Sequence, residues 1–190
     1  VAEKSNLFNA PETYMDKIAI SSSEKGIVDL DNSITQNIKN LAEYKNTIPE
    51  KLTACLLDRP RHKEHIDELK RLNVKIKLIN DGDVSGALLV TNKEYNIDIF
   101  LGIGGGPEGV LAASALSAYE CFFQGKFLFY NDDEKLRAKK MGIHDLEKKY
   151  NIDEIISGDS IFCATGITSG DLVKGIELNG NSFTSETLIT

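Results

Sequence analysis

The stretch Asn96–Leu111, NIDIFLGIGGGPEGVL, decides the reading of this chain. An apolar run breaks into three glycines, then Pro107 and Glu108, and then an apolar pattern at helical spacing. A proline fits a helix's first turn, where its missing N–H costs nothing. Val110, Leu111, Ser114 and Ala115 continue at helical intervals. The segment therefore reads as a buried strand that delivers a backbone loop and one carboxylate to the start of a helix. Gly104, Gly105 and Gly106 can take positive φ and admit a ligand to the backbone. Free N–H groups at a helix start attract an anion, although GGG could equally be a tight turn with no ligand.

Gly104, Gly106 and Gly109 also satisfy G-x-G-x-x-G, which opens a dinucleotide- or phosphate-binding alternative. Glu108 speaks against a dinucleotide, because a carboxylate beside a pyrophosphate repels it. A divalent cation shared by carboxylate and phosphate removes that objection. A metal–phosphate site is the preferred expectation, with Glu108 as the metal ligand.

The 190 residues carry 22 basic and 29 acidic side chains, for a net charge of −7. No run of basic residues offers a footprint for a nucleic-acid backbone. No apolar run approaches the roughly 20 residues of a membrane helix. Cys55, Cys121 and Cys163 are isolated and set among apolar residues, as buried small hydrophobes in a reducing cytoplasm would be. The chain opens on VAEKSNLFNAP, without a methionine or the regions of a signal peptide, and closes on SETLIT; both ends suggest part of a longer protein.

Helical and strand patterns alternate. Helices are expected over Ile34–Tyr44, His62–Leu72, Val84–Val90, Pro107 to about Phe122, and Asp132–Met141. Strands are expected over Leu52–Leu57, Val74–Ile79, Ile97–Ile103, Phe127–Tyr130, Ser160–Thr165 and Phe183–Ile189. The alternation implies an α/β fold with a mostly parallel sheet covered on both faces. Ligands of such sheets bind beyond the carboxyl ends of the strands. Four polar segments follow strands there: DRPRH (Asp58–His62), NDGD (Asn80–Asp83), GGGPEG (Gly104–Gly109) and TGITSGD (Thr165–Asp171).

Each segment has two readings. Arg59 and Arg61 are either solvated charges or a fork matched to phosphate oxygens. Asp83 suits a cap for the helix at Val84, which leaves Asp81 as the more ligand-facing acid. His62 and His65, three apart on a helix, lack the third ligand of a metal site.

NAPETYMDKI (Asn9–Ile18), DRPRH, DGDV, GIGGGPEGV and ATGITSGDLVKGI (Ala164–Ile176) together resemble class II fructose-1,6-bisphosphatase, in the family's order and over essentially the whole chain. The resemblance implies the layered αβαβα fold of the lithium-sensitive sugar phosphatases. It also implies hydrolysis of the 1-phosphate of fructose 1,6-bisphosphate with Mn²⁺ or Mg²⁺ in gluconeogenesis, sedoheptulose 1,7-bisphosphate being a further substrate. By motif, Glu108 is the catalytic metal ligand. Tyr14, Arg59, Pro60, Arg61, Asp81, Gly82, Asp83 and Gly105 fall on substrate-binding positions. A cytoplasmic homo-oligomer that binds neither nucleic acid nor membrane is implied as well. The family's D-P-[ILV]-[DE]-G-[ST] metal motif is absent, so residues 1–190 are expected to be the C-terminal substrate-binding part, inactive alone, of a protein whose N-terminal metal-binding part lies outside this sequence.

Overall fold

The computed structural model describes residues 1–190. One six-stranded sheet organises them, built from β1 (Tyr14–Ile20), β2 (Thr53–Leu57), β3 (Lys75–Ile79), β4 (Ile99–Gly105), β5 (Phe122–Leu128) and β6 (Lys149–Asn151). Their spatial order is β3-β2-β4-β1-β5-β6. β2 runs parallel to β3 and β4, while β1 lies antiparallel between β4 and β5, and β6 is antiparallel to β5. Four strands, β2 to β5, thus share one direction, as the alternating pattern implies. The insertion of β1 makes the central pairings antiparallel.

β1 is the one central strand that periodicity does not announce. Its sequence, YMDKIAI, places Asp16 and Lys17 inside an otherwise apolar run. Every residue of it is nonetheless in register with both neighbours, from Tyr14 opposite Gly105 and Leu128 to Ile20 opposite Ile99 and Phe122. Because β1 is antiparallel to β4, it starts at the edge where β4 ends. Tyr14 is therefore delivered to the same edge as Glu108.

Helices cover both faces. α1 (Ile34–Tyr44) and α2 (Lys63–Arg71) lie on one side, where Ile38, Leu41 and Leu69 pack with Ile18, Ile20 and Leu56. α3 (Asp83–Leu88) and α4 (Gly106–Ala118) lie on the other, packed with Met15, Ala19, Phe100 and Phe123. α1 shows the narrow apolar stripe of a surface helix, whereas α4 buries Val110, Ala112, Ala113, Ala115 and Leu116 around most of its girth. A helix apolar on all sides belongs inside. α5 (Asp132–Lys140) and the single turn α6 (Ile152–Ile155) close the far end, the first capped by the Asn131 side chain.

Several boundaries differ from expectation. α4 stops at Ala118, not near Phe122, because Glu120 turns left-handed (φ 52°) and releases Phe122 and Phe123 into β5. β5 accordingly begins five residues before the expected Phe127. The C-terminal apolar stretches do not join the sheet. They form two small ribbons, β7 (Cys163–Thr165) with β10 (Thr187–Ile189) and β8 (Glu177–Asn179) with β9 (Ser182–Thr184). Cys163 is exposed there, contrary to the expectation of three buried cysteines. Cys55 and Cys121 are buried, and burial pushes their thiols up to about 12 and about 11. No helix is long and apolar enough to cross a membrane.

Candidate active site

Three of the four polar segments converge at the carboxyl edge of the sheet. A cavity of about 310 Å³ is lined by Arg59 and Arg61 after β2, Asp81 to Asp83 after β3, and Gly104, Gly105 and Glu108 at the β4–α4 junction. A second, more open cavity of about 640 Å³ shares Gly105 and Glu108 with the first and adds Glu12, Tyr14 and Glu134. One basin is thus faced by two guanidinium groups and the other by carboxylates, with Glu108 between them.

The arginines are aimed by local structure. Pro60 starts a single 3₁₀ turn through His62, where its fixed φ suits a first helical position. Pro60 itself lines neither cavity. The turn sends Arg61 across to β4, where Nε donates to the Ile103 carbonyl at 2.6 Å and the guanidinium lies over the Tyr14 ring, 5.1 Å from its centroid. With Nε occupied, the two terminal amino groups remain to meet an anion. Arg59 donates to the Asp58 carbonyl and stands 3.8 Å from Asp81.

His62 holds this turn. The ladder between β2 and β4 ends at Cys55 and Phe100, and the strands part beyond it. The fully buried His62 imidazole fills the gap. Nε2 accepts the Ile103 N–H at 2.8 Å, so the ring proton sits on Nδ1, which donates to the Leu57 carbonyl at 2.8 Å. Burial keeps this imidazole below its ordinary pKa. A ring with both nitrogens committed to backbone is unfit for a metal.

Asp81 and Asp83 part company, but not through the expected cap: Asp83 is itself the first residue of α3, and its side chain caps nothing because Lys17 engages it. Gly82 takes φ 92°, a left-handed conformation open to glycine, and caps α3. Asp81 points into solvent. Asp83 turns inward, and Oδ2 accepts from the ammonium of Lys17 on β1. Lys17 is fully buried and also donates to the Gly105 carbonyl at 3.1 Å. Burial depresses its ammonium below the ordinary lysine range, and the Asp83 charge opposes that shift. Sequence reasoning missed Lys17, and it weighed His62 only as half of a metal pair, not as a bridge between two backbone groups. The available signal was a lone cation inside an apolar run at Lys17.

The three glycines work differently from expectation. None has positive φ, because β4 continues through Gly105 and passes into α4 without a loop. The Gly106 N–H donates to the Thr13 carbonyl at 2.7 Å, and Pro107 has no N–H, so the first turn of α4 offers fewer free donors than a phosphate loop needs. The glycines instead admit neighbouring side chains. A Cβ at Gly104 would strike the Asp83 carboxylate, and one at Gly105 would overlap the carboxylate of Glu108. The dinucleotide alternative loses its structural basis here.

The fourth segment lies elsewhere. Thr168–Asp171 borders a third cavity of about 540 Å³, which shares Asp81 and Gly82 with the first, and Asp171 pairs with Lys77 at 2.6 Å. For a metal, no group of three acidic, histidine or cysteine side chains has ligating geometry. Glu134 is spent on the Tyr130 N–H at 2.7 Å and the Asn131 amide at 3.0 Å. Glu108 fits as a single ligand, and the set is incomplete within this chain.

A family profile described as bacterial fructose-1,6-bisphosphatase, glpX-encoded, matches residues 1–190. The proteins named D-fructose 1,6-bisphosphatase class 2/sedoheptulose 1,7-bisphosphatase from Trichodesmium erythraeum and from Synechocystis sp. are each 36% identical to this chain over 202 residues. Those matches cover 100% of this chain and 59% of each relative. A similarly named protein of Acaryochloris marina is 36% identical, with 58% of its length covered. The chain thus spans less than two thirds of the length of the curated relatives it matches. It belongs to the class II fructose-1,6-bisphosphatase family.

Proposed function

We propose, from that membership and from the site, that residues 1–190 are the substrate-binding part of a metal-dependent sugar bisphosphatase. The reaction is hydrolysis of the 1-phosphate of fructose 1,6-bisphosphate to fructose 6-phosphate and phosphate, a gluconeogenic step. Sedoheptulose 1,7-bisphosphate, which the relatives' names also carry, presents the same terminal phosphate chemistry. One observation carries the reading: Arg59, Arg61 and Glu108, read from separate motifs, face adjoining basins at one sheet edge.

The division of labour follows from the charges. Arg61, fixed at Nε by Ile103 and stacked over Tyr14, presents its terminal amino groups to the non-reacting phosphate, with Arg59 beside it. A guanidinium fork matches phosphate oxygens in two bonds at once. Asp81 faces solvent across the same cavity and accepts from sugar hydroxyls. Such anchoring of a remote group positions the reacting one. Glu108, between the basins, holds one coordination position of a divalent ion, Mn²⁺ or Mg²⁺. That ion supplies phosphoryl charge neutralisation and an acidified water. A lone carboxylate does not retain Mg²⁺, so the remaining ligands come from outside these 190 residues.

Two measurements test this. In a polypeptide joining these residues to the remaining carboxylates, Glu108→Ala lowers Mn²⁺-dependent phosphate release from fructose 1,6-bisphosphate by at least about a hundredfold. Unimpaired release would overturn the assignment. The 190-residue chain alone binds fructose 6-phosphate in calorimetry; saturable NADH binding in its place would restore the dinucleotide alternative.

A further inference from the structure

Lysine is almost never fully buried unless paired, and a buried charge is tolerated only when partners compensate its lost hydration. Lys17 meets both conditions on the central strand. Its ammonium reaches Asp83 on one side and the Gly105 carbonyl on the other. Those two groups belong to different substrate segments. Asp83 follows Asp81 and the left-handed Gly82, and Gly105 precedes Pro107 and Glu108. The third element of the arrangement is Gly104, where a Cβ would come within 3.0 Å of the Lys17 ammonium. The surrounding charges are Arg61 and Glu108, both close enough to act on Lys17. The second carboxylate oxygen of Asp83, Oδ1, is buried and has no partner, so the ion pair with Lys17 is what holds this side chain.

We propose that Lys17 is a positioning residue for sugar-phosphate recognition: by tying Asp83 to the Gly105 carbonyl it fixes the segment bearing Asp81 against the segment bearing Glu108. The role rests on reading the cavity as a sugar-phosphate site. Lys17 touches no ligand itself. It sets the distance between the group that accepts from sugar hydroxyls and the groups that hold phosphate. Arg59 and Arg61 are anchored separately, by backbone carbonyls of Asp58 and Ile103. Losing the tie therefore damages recognition of the sugar more than recognition of the phosphate.

That asymmetry is the test. Lys17→Met leaves Asp83 as an unpaired buried carboxylate and can fail to fold, so Lys17→Met/Asp83→Asn, which removes both charges, is measured beside it. Calorimetry on the 190-residue chain compares fructose 6-phosphate with inorganic phosphate. The double variant, melting near the parent, loses about tenfold or more in affinity for fructose 6-phosphate and less than about threefold for phosphate. Equal losses for the two ligands, or no loss for either, would overturn the positioning role. A parent chain that binds neither ligand overturns the sugar-phosphate reading itself, and the positioning role with it.

Discussion

The two edges of the sheet make an instructive pair. At the amino edge of β2, β3 and β4, a cavity of about 580 Å³ is lined by Lys45, Lys51, Lys75, Lys77 and Lys93, with Asp98 as its acid. By charge alone this is the more cationic of the two edges, in a chain of net charge −7. These lysines come from three separate stretches of the chain, so the absence of a basic run in the sequence does not describe their arrangement in space. Two are already neutralised, Lys45 by Asp98 at 2.5 Å and Lys77 by Asp171 at 2.6 Å. The rest end in solvent on flexible stems. The carboxyl edge has fewer cations, but each is tethered: Arg61 to Ile103, Arg59 to Asp58, and Lys17 to Asp83 and Gly105. Ordering a free lysine costs side-chain entropy that a tethered arginine has already lost. Restraint, more than charge count, separates a site from a charged surface.

The sharpest way to break this contrast is to remove the restraint. His62→Ala deletes the imidazole that joins Leu57 to Ile103 and leaves a buried carbonyl and a buried N–H unpaired. The expected cost is about 2–4 kcal/mol by chemical denaturation, since each unsatisfied buried group costs about 1–3 kcal/mol. Its pH dependence follows from the lowered pKa. The native ring resists a proton that the unfolded chain accepts, so this contribution is intact above the ordinary value of 6.5 and is lost as pH falls below it. Carboxylates held low, such as Glu154 beside Lys148, fail only under more acid conditions, below their ordinary 4.5. A parent stability curve flat between pH 7 and about 5, or unchanged in slope by His62→Ala, would remove His62 from the scaffold.

A smaller effect is expected from Gly104→Ala. The added methyl meets the Asp83 carboxylate and approaches the Lys17 ammonium. Overpacking of this kind costs about 1–3 kcal/mol. The cost should nearly vanish when Asp83 is also shortened to alanine, which a double-mutant cycle on melting stability would detect.

The same contrast explains what was legible in the sequence. Helices and parallel strands are short-range patterns, and α1, α2, β2 and β3 emerge within a residue or two of their expected bounds. The convergence of Arg59, Arg61, Asp81 and Glu108 on one sheet edge was readable because each follows a strand at its carboxyl end. β1 was not, because a central antiparallel strand carrying Asp16 and Lys17 breaks the apolar run that identifies buried strands. The contacts of Lys17 and His62 stayed hidden for a related reason. Those contacts are made with partners 88 and 41 positions away, Gly105 and Ile103, and no local spacing encodes such pairings. The C-terminal ribbons, with Leu178 and Phe183 exposed, show the opposite failure: strand-like alternation without a core to bury it.

The smallest expected effect tests the other half of the comparison. Lys75 is exposed at the amino edge and makes no ion pair. If charge without restraint does little, Lys75→Gln changes stability by no more than about 0.5 kcal/mol, the usual range for surface substitutions. Its effect on phosphate affinity should be equally slight, because a single screened ammonium on a mobile stem contributes little to either quantity. A loss of phosphate affinity in Lys75→Gln comparable to that caused by disturbing Arg61 would mean that flexible lysines suffice to build an anion site here. The tethering of the arginines would then explain selectivity among sugar phosphates, but not binding.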